Sequence, residues 1–568
     1  MIDKVATSIN KLHVNKPLVG ILLLSLFLNS LGMWYGLPYP PPPAWVPDGE
    51  HGPIWVFDTI GPVGPLAAAK DGFSWGRWSQ RSTTYPLAHY MLLAIFYAPY
   101  VGYLFLSGGF ESTPSPGYPY GLSDPTTALT VLTLIGRAVA ALMGTGIVLS
   151  TYLIAREFFD RKAALFSALS VALCSLLIFY AHTTNLDGPY VFWFMLALWA
   201  YVRLVKNGHL KYYILLGVFA AIAIATKDQA YGLFLLFPFT ILWAHFRHHG
   251  HSALNARELI RLLFHRNVVL LVLSFLVAFA LANNLLLNFP RFVLHMKTIS
   301  GIPSMDRYLN RTSLADHLRL FGLTSSYLRR SMGLPILVVN MAGLIYCIFH
   351  FRRPTWLLSA PLISYYFVIV YTTLFYVHAR HVLPLAVILS IFGGKMSLDL
   401  MTSKRVPSWL SRAFLALVFT YSMLYGLNAD LTLMFDSRHT AGQWMEKNVP
   451  KGARIEVYSL PIFLPRYLQD YHVHQVEFGS DYLSDLQLRR PDYVVVTEQQ
   501  YRGNADQVEA DRFLLASREN QNLPALLSGE LGYQLQAEFK FKLHDWFFPD
   551  MFYGQNPRIL IFKRVPRK

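Results

Sequence analysis

The chain has 568 residues, of which 54% are hydrophobic, 15% aromatic and only 14% charged. An average soluble protein carries roughly 25% charged residues, so the composition excludes a cytosolic enzyme, a disordered chain and a collagen. The net charge of +16, from 49 Lys and Arg against 33 Asp and Glu, matches the Lys and Arg excess of cytoplasmic membrane-protein loops, and no basic stripe with interleaved aromatics points to nucleic acid.

A membrane-crossing helix needs about 20 apolar residues. Runs near that length fall at 18–36, 129–155, 163–181, 188–205, 211–226, 229–245, 267–288, 332–350, 355–375, 382–399 and 409–430. The first follows Lys4, Lys11 and Lys16 and has no small-residue cleavage site, so it reads as an uncleaved helix with a cytoplasmic N-terminus. Eleven crossings put every basic cluster on the cytoplasmic side: Arg156/Arg161/Lys162, Arg203/Lys206/Lys211, Arg247/Arg257/Arg261/Arg266, Arg352/Arg353 and Lys404/Arg405/Arg412. The run 86–108 holds Pro86, Pro99 and four tyrosines. It is expected to lie along the outer leaflet; the alternative is that it crosses as a further span while another of the runs does not. The only cysteines, Cys174 and Cys347, sit in apolar runs and offer neither a disulfide framework nor a cysteine metal site.

This topology predicts a transmembrane domain over 1–430 with external loops at 37–128 and 289–331. A soluble extracytoplasmic α/β domain follows over 431–568, with strand-like runs at Arg454–Ser459, Tyr493–Thr497 and Ile559–Arg564.

Ionisable groups at helix mouths are costly and usually functional, and here they gather on the external side. The first loop holds Asp48, Glu50, Asp58 and Asp71. Asp58 lies in the apolar stretch Trp55-Val56-Phe57-Asp58-Thr59-Ile60, a setting that favours proton uptake and suits a general base. Asp48 and Glu50, one glycine apart, are the alternatives and also the candidate oxygen ligands of a divalent metal. Each of these four carboxylates is also readable as an ordinary surface group. Asp187 precedes Gly188-Pro189 at the mouth of the next span, as a site carboxylate, a helix N-cap or both. Lys227, in Thr226-Lys227-Asp228, is a candidate phosphate ligand; a local ion pair with Asp228 is the alternative. Arg291, His295 and Lys297 open the second loop as further phosphate candidates, and His295 is the third candidate metal ligand. Arg380, in His378-Ala379-Arg380-His381, forms another cationic mouth. Each cation singly also reads as a snorkelling surface group. No phosphate-binding glycine loop or dinucleotide fingerprint is present, so no nucleotide cofactor is expected.

Tyr85-Pro86-Leu87-Ala88-His89-Tyr90, Gly136-Arg137, the Tyr152–Lys162 turn, Asn185-Leu186-Asp187, Thr226-Lys227 and Arg380-His381-Val382-Leu383-Pro384 together resemble the GT-C superfamily of polyprenyl-phosphate-sugar-dependent glycosyltransferases. The branch is similar to the protein O-mannosyltransferases and the lipid A aminoarabinose transferase. The resemblance covers about 18–430 and, more loosely, the C-terminal domain. It implies an integral-membrane enzyme of the GT-C fold that moves a sugar from a polyprenyl-phosphate donor to a hydroxyl on a glycan, lipid or protein acceptor. The reaction inverts the anomeric centre, and a first-loop carboxylate acts as base. Asp58 matches that position, although the family's paired Asp-Glu is replaced by Asp58-Thr59. Asp187 matches the second acidic position and Lys227 the phosphate lysine. Tyr85 and His89 fall in the substrate-binding stretch, and His295 sits where the lipid A branch places a histidine. A bacterial inner membrane with a periplasmic active site is the default setting. Two competing readings are a transporter or flippase for lipid-linked sugars, which would use polar groups within the spans, and a non-catalytic membrane assembly subunit.

Overall fold

The computed structural model describes residues 15–38, 59–73, 85–115, 117–248, 260–261, 263–300, 313–371, 379–458, 461–476, 486, 488–497, 522–543 and 555–565. In chain order the helices are α1 (Lys16–Ser30), α2 (Val63–Phe73), α3 (Ala88–Leu106), α4 (Pro125–Phe158), α5 (Arg161–Ala172), α6 (Ser175–Ala181), α7 (Asp187–Asn207), α8 (Leu210–Thr226), α9 (Phe237–His248), α10 (Arg266–Ala282), α11 (Leu285–Ser300), α12 (Leu314–Met332), α13 (Leu334–His350), α14 (Arg352–Tyr371), α15 (Leu383–Thr402), α16 (Ser408–Met434) and α17 (Ser437–Asn448). Strands β1 (Arg454–Val457), β2 (His472–Gln475) and β3 (Tyr493–Thr497), the short helix α18 (Asn522–Leu527), and strands β4 (Tyr533–Phe539) and β5 (Ile559–Arg564) follow.

Among the described residues five helices are long and apolar enough to cross a membrane, or up to eight if each of three bent pairs is one span. The chain is an integral membrane protein on that evidence. The run 86–108 yields α3, which meets the length and apolarity of a span. The expected span 229–245 is not one helix: Lys227 is extended (φ −152°), Asp228–Leu233 is a 3-10 turn, and α9 starts at Phe237. The expected loop 289–331 is helical over most of its described length, in α11 and α12. Its apolar residues therefore line helices that bend away from their neighbours: α10 and α11 meet at 79° through Asn284 (φ +54°), and α12 and α13 at 119° through Gly333 (φ +79°). Asn tolerates the left-handed region and Gly adopts it freely. A Cβ at Gly333 would also lie 2.8 Å from the Tyr421 ring.

The chain divides into two units. The first takes residues 1–31, 64–96 and 136–427. Within it α8 packs between α7 and α10, and α15 between α5 and α13. In an apolar medium hydrophobicity does not drive helices together, so small residues and buried polar contacts set the packing. Gly394 on α15 is one such residue: a Cβ there would stand 2.5 Å from the Ala163 carbonyl of α5. The Ser170 hydroxyl meets that of Ser390 at 3.1 Å, and Asn340 Nδ2 donates to both at 3.4 Å, joining α5, α13 and α15. Asn29 Nδ2 donates to the Ala141 carbonyl and Thr145 Oγ1, fastening α1 to α4.

The second unit takes residues 32–63, 97–135 and 428–568. Its sheet runs β2-β1-β3-β5-β4, with β1 parallel to β2 and β3, and β5 antiparallel to β3 and β4. Alternate side chains point to opposite faces of a strand. Tyr493 and Val495 pack with Met445 and Ala441 of α17, whereas Val494 and Val496 pack with Leu486 and Leu526 on the other side. β3 is buried on both faces and therefore reads as an unbroken apolar run. The three strands expected from sequence are present, β1 ending at Val457. β2 and β4 are the edges that sequence did not reveal, polar in composition and half-exposed.

Candidate functional site

The site in the first unit is organised by a break. α8 stops at Thr226, and Lys227 takes an extended backbone, φ −152° and ψ 124°. Successive side chains of an extended chain point to opposite sides. Lys227 Nζ donates to Asp187 Oδ1 at 2.5 Å, while Asp228 Oδ1 meets His295 Nε2 at 3.1 Å. The alternative of a local ion pair between Lys227 and Asp228 thus gives way to two long-range pairs pointing apart.

Asp187 is the first residue of α7, and its side chain is 1% exposed against 9% for Lys227. It is not the N-cap that Gly188-Pro189 suggested. The side-chain bond at this helix start comes from Asn185, whose Oδ1 accepts from the Asp187 N–H at 2.6 Å. The Asp187 carboxylate sits instead within the first turn, where the helix dipole favours negative charge. Its Oδ2 is buried and accepts no hydrogen bond among the described residues.

Four tyrosines, Tyr85, Tyr180, Tyr190 and Tyr365, lie within electrostatic reach of this carboxylate, and Lys227 Nζ lies 5.6 Å from the Tyr190 ring centroid. Burial first, then the negative charge of Asp187, pushes the Tyr85 phenol above its ordinary value. It therefore stays a hydrogen-bond donor across the physiological range. Tyr85 is also where Arg291 arrives. The kink of α11 at Asn288 and Pro290 turns Arg291 inward, with its N–H on Asn288 Oδ1 at 3.3 Å. Its Nη2 donates to the Tyr85 carbonyl at 3.3 Å, and the residue is 1% exposed.

Tyr85, Asp187, Lys227, Arg291 and His295, separated by up to 210 residues, are thus linked through a chain of contacts that includes Asp228. His89 is buried on α3, and its ring nitrogens have no hydrogen-bond partner among the described residues. Arg380 is half-buried in the Ala379–Val382 turn leading into α15. Lys297 is exposed on α11. Asp48, Glu50 and Asp58 lie outside the described residues. Among those described, no group of three or more His, Cys, Asp or Glu is placed to hold a metal ion; His295 has one carboxylate, Asp228, beside it.

Sequence reasoning missed Tyr180, Tyr190 and Tyr365 as neighbours of Asp187. They sit among other aromatics in apolar runs, and nothing local distinguishes them. It also missed Asp228 as the partner of His295, for which adjacency to Lys227 was the only signal.

Residues 127–275, the stretch containing both Asp187 and Lys227, match the family model described as dolichyl-phosphate-mannose-protein mannosyltransferase. The GT-C resemblance carried by the sequence motifs is borne out by this match. No curated protein sequence matches the chain. Among solved structures the chain is similar to an oligosaccharyltransferase of Archaeoglobus fulgidus in complex with zinc and sulfate, at 14% identity and a TM-score of 0.45, over 94% of this chain and 74% of that one. It is also similar to ArnT of Cupriavidus metallidurans bound to undecaprenyl phosphate, at 13% identity and a TM-score of 0.43, over 96% and 97%. A third similarity is to the protein O-mannosyltransferase complex Pmt1-Pmt2 of S. cerevisiae bound to its sugar donor, at 16% identity and a TM-score of 0.31, over 51% and 35%.

Proposed function

We propose that the protein is an inverting glycosyltransferase that moves a sugar from a polyprenyl-phosphate donor to an acceptor hydroxyl at the extracytoplasmic membrane face. The observation that carries this reading is the buried Lys227–Asp187 pair, lying within the stretch that matches the mannosyltransferase family. A lysine held by a carboxylate at a helix start is a fixed positive charge in a water-poor place. Fixed charge of this kind stabilises a leaving phosphate without reorganisation during the reaction.

In the proposed reaction the acceptor oxygen attacks the anomeric carbon from the face opposite the phosphate. The new C–O bond forms as the anomeric C–O bond to phosphate breaks, and the phosphate leaves with the electron pair. Lys227 and Arg291 receive the growing negative charge. The proton of the acceptor hydroxyl passes to a first-loop carboxylate, Asp58, with Asp48 and Glu50 as alternatives. Asp187 is already engaged by Lys227, so its part is to hold that lysine. Tyr85 donates a hydrogen bond to the donor, His295 is oriented by Asp228, and Arg380, Lys297 and His89 complete the donor-binding face. If a divalent metal takes part, Asp48, Glu50 or His295 would hold it; no nucleotide is required. Eleven crossings, a cytoplasmic N-terminus, a transmembrane domain over 1–430 and a periplasmic domain over 431–568 in a bacterial inner membrane complete the proposal. The acceptor is a glycan, lipid or protein.

The test is release of polyprenyl phosphate by the purified protein in lipid, from a panel of radiolabelled polyprenyl-phosphate sugars, with envelope extract or water as acceptor. Release with one sugar, lost in Asp58→Asn, is the expected result. Tight binding of a donor with no release from any would instead favour a transporter.

A further inference from the structure

α7 starts at Asp187 and runs for 21 residues, about 30 Å. At its far end, still within the first unit, a second set of charges gathers where α1, α4 and α5 meet. α1 and α4 run antiparallel and are tied at both ends: Asn29 Nδ2 donates to the Ala141 carbonyl and Thr145 Oγ1, and Asn15 Nδ2 donates to the Tyr152 hydroxyl at 2.9 Å. Asn15 Oδ1 in turn accepts from Arg161 Nη2 at 2.6 Å, which brings in the start of α5. Cations stand around this junction. Lys16 is the chain neighbour of Asn15, and Lys162 that of Arg161. Arg156 lies four residues after Tyr152 on α4 and so on the same helical face. All four cations are exposed.

Little negative charge offsets them. Glu157 is half-buried and already shared by Arg203 and Lys206 of α7, at 2.9 Å each. Asp160 caps α5 by accepting from the Ala163 N–H at 3.0 Å. Among the described residues Lys16, Arg156 and Lys162 make no ion pair. Apolar surface leads up to the cations on two helices. On α1 the exposed Val19, Leu23 and Phe27 share a face with Lys16. On α4 the exposed Leu142 and Leu149 stand seven residues apart, and the same step leads from Leu149 to Arg156. Each helix thus presents an exposed apolar stripe that ends in a cation. α4 has the length and apolarity of a membrane span, so its stripe faces acyl chains and Arg156 faces the headgroup level.

We propose that α1, α4 and the start of α5 form a binding site for an anionic phospholipid, with its phosphate on Lys16, Arg156, Arg161 and Lys162 and its acyl chains along the two stripes. Charge complementarity selects the occupant. The stripes accept the chains of any phospholipid, but a zwitterionic headgroup brings an ammonium that this cluster repels. A headgroup of net negative charge brings only what the cluster attracts, and a guanidinium fork matches phosphate oxygens in pairs. Each basic residue at a leaflet surface is worth about fivefold in affinity for anionic lipid. The site is separate from the Asp187–Lys227 region and does not depend on the glycosyltransferase reading.

The test is native mass spectrometry of the full, delipidated chain in detergent, titrated with phosphatidylglycerol or with phosphatidylcholine of the same acyl chains. The unaltered protein should hold its tightest phosphatidylglycerol about 30- to 100-fold more strongly than phosphatidylcholine. Arg156→Gln/Lys162→Gln changes two exposed side chains that make no hydrogen bond among the described residues, and should lower that preference by about 10- to 25-fold. Lys211→Gln/Arg352→Gln removes the same charge at the same end of the bundle. Lys211 adjoins Tyr212, whose hydroxyl accepts from Arg203, and Arg352 adjoins Phe351, whose ring centroid lies 5.7 Å from that of Phe159. This control should keep the preference within about twofold of the unaltered protein. The two lipids are compared within each variant, so a general loss of folding does not mimic a loss of preference. Equal binding of both lipids by the unaltered protein, a preference that survives Arg156→Gln/Lys162→Gln, or an equal loss in the control would overturn the site.

Discussion

Neutralising Lys227 tests the proposed chemistry most directly, because the buried pair allows two separable outcomes. At 2.5 Å and an effective dielectric of about 20, the gross attraction to Asp187 is about 7 kcal/mol. Desolvation of both groups offsets much of that, so removing one partner should cost about 3–5 kcal/mol by leaving a buried, unmatched charge. Lys227→Met therefore loses stability whatever the lysine does in catalysis, and the double variant Lys227→Met/Asp187→Asn should recover most of it. Turnover is where the roles part. If Lys227 stabilises the departing phosphate, both the single and the double variant lose about 10²–10³ in kcat, and recovered stability brings no recovered rate. If Lys227 only neutralises Asp187, the double variant regains turnover together with stability. The assay is polyprenyl-phosphate release from the active donor, with thermal unfolding in the same detergent–lipid mixture. Wild-type rates in the double variant would refute the phosphate role.

Asp58→Asn should lower polyprenyl-phosphate release by about 10²–10⁴, the usual range for a general base, while Asp48→Asn should leave it near wild type; the reverse order, read in the same assay, would move the base to Asp48. Arg489→Ala strips the buried Glu456 of its two guanidinium bonds at 2.6 and 2.9 Å, and because Arg489 is about a third exposed the expected loss is about 2–4 kcal/mol, measurable as faster amide exchange in β1 and β3 and relieved by Glu456→Gln. The Arg558 hydrogen bond holds the Glu538 carboxyl below its ordinary value. That pair's contribution is fully present above the unfolded carboxyl range near 4.5 and fades as pH falls through the lower folded value. Arg558→Ala should therefore speed exchange in β4 and β5 slightly at pH 7, by less than about 1 kcal/mol, and not at all near pH 2.

What sequence made legible follows from the range of each interaction. Apolar runs are local, so most expected spans have helices at their places, and the unbroken Tyr493–Thr497 run marks a strand buried on both faces. Edge strands are stabilised by a neighbour on one side only and need no apolar signature, which is why His472–Gln475 went unseen. Asp187 and Lys227 could be singled out because charge at a helix mouth is conspicuous. That they face each other across 40 residues is a tertiary fact with no local pattern. The same holds for Arg438, whose partners Tyr35 and Ile462 lie 403 and 24 residues away, and which reads in sequence as an ordinary polar residue after the last apolar run.

The break at Lys227 explains why so few residues organise so much of the site. Had α8 continued, Lys227 and Asp228 would have stood about 100° apart on one helix and faced the same neighbours. The extended backbone instead separates them to opposite sides, so a single dipeptide reaches the start of α7 through Asp187 and the bent helix α11 through His295. α11 in turn delivers Arg291 to the Tyr85 carbonyl, four positions before His295 and so on the same helical face. Tyr85 closes the circuit by lying within electrostatic reach of Asp187. Lys227 is thereby held by the first residue of a helix, His295 by the residue after an extended lysine, and Arg291, beside its own helix's kink, by the Tyr85 carbonyl. Under the proposed reaction a phosphate bound there would meet charges that are already oriented, and that pre-orientation, more than the number of charges, is what stabilising a leaving group requires.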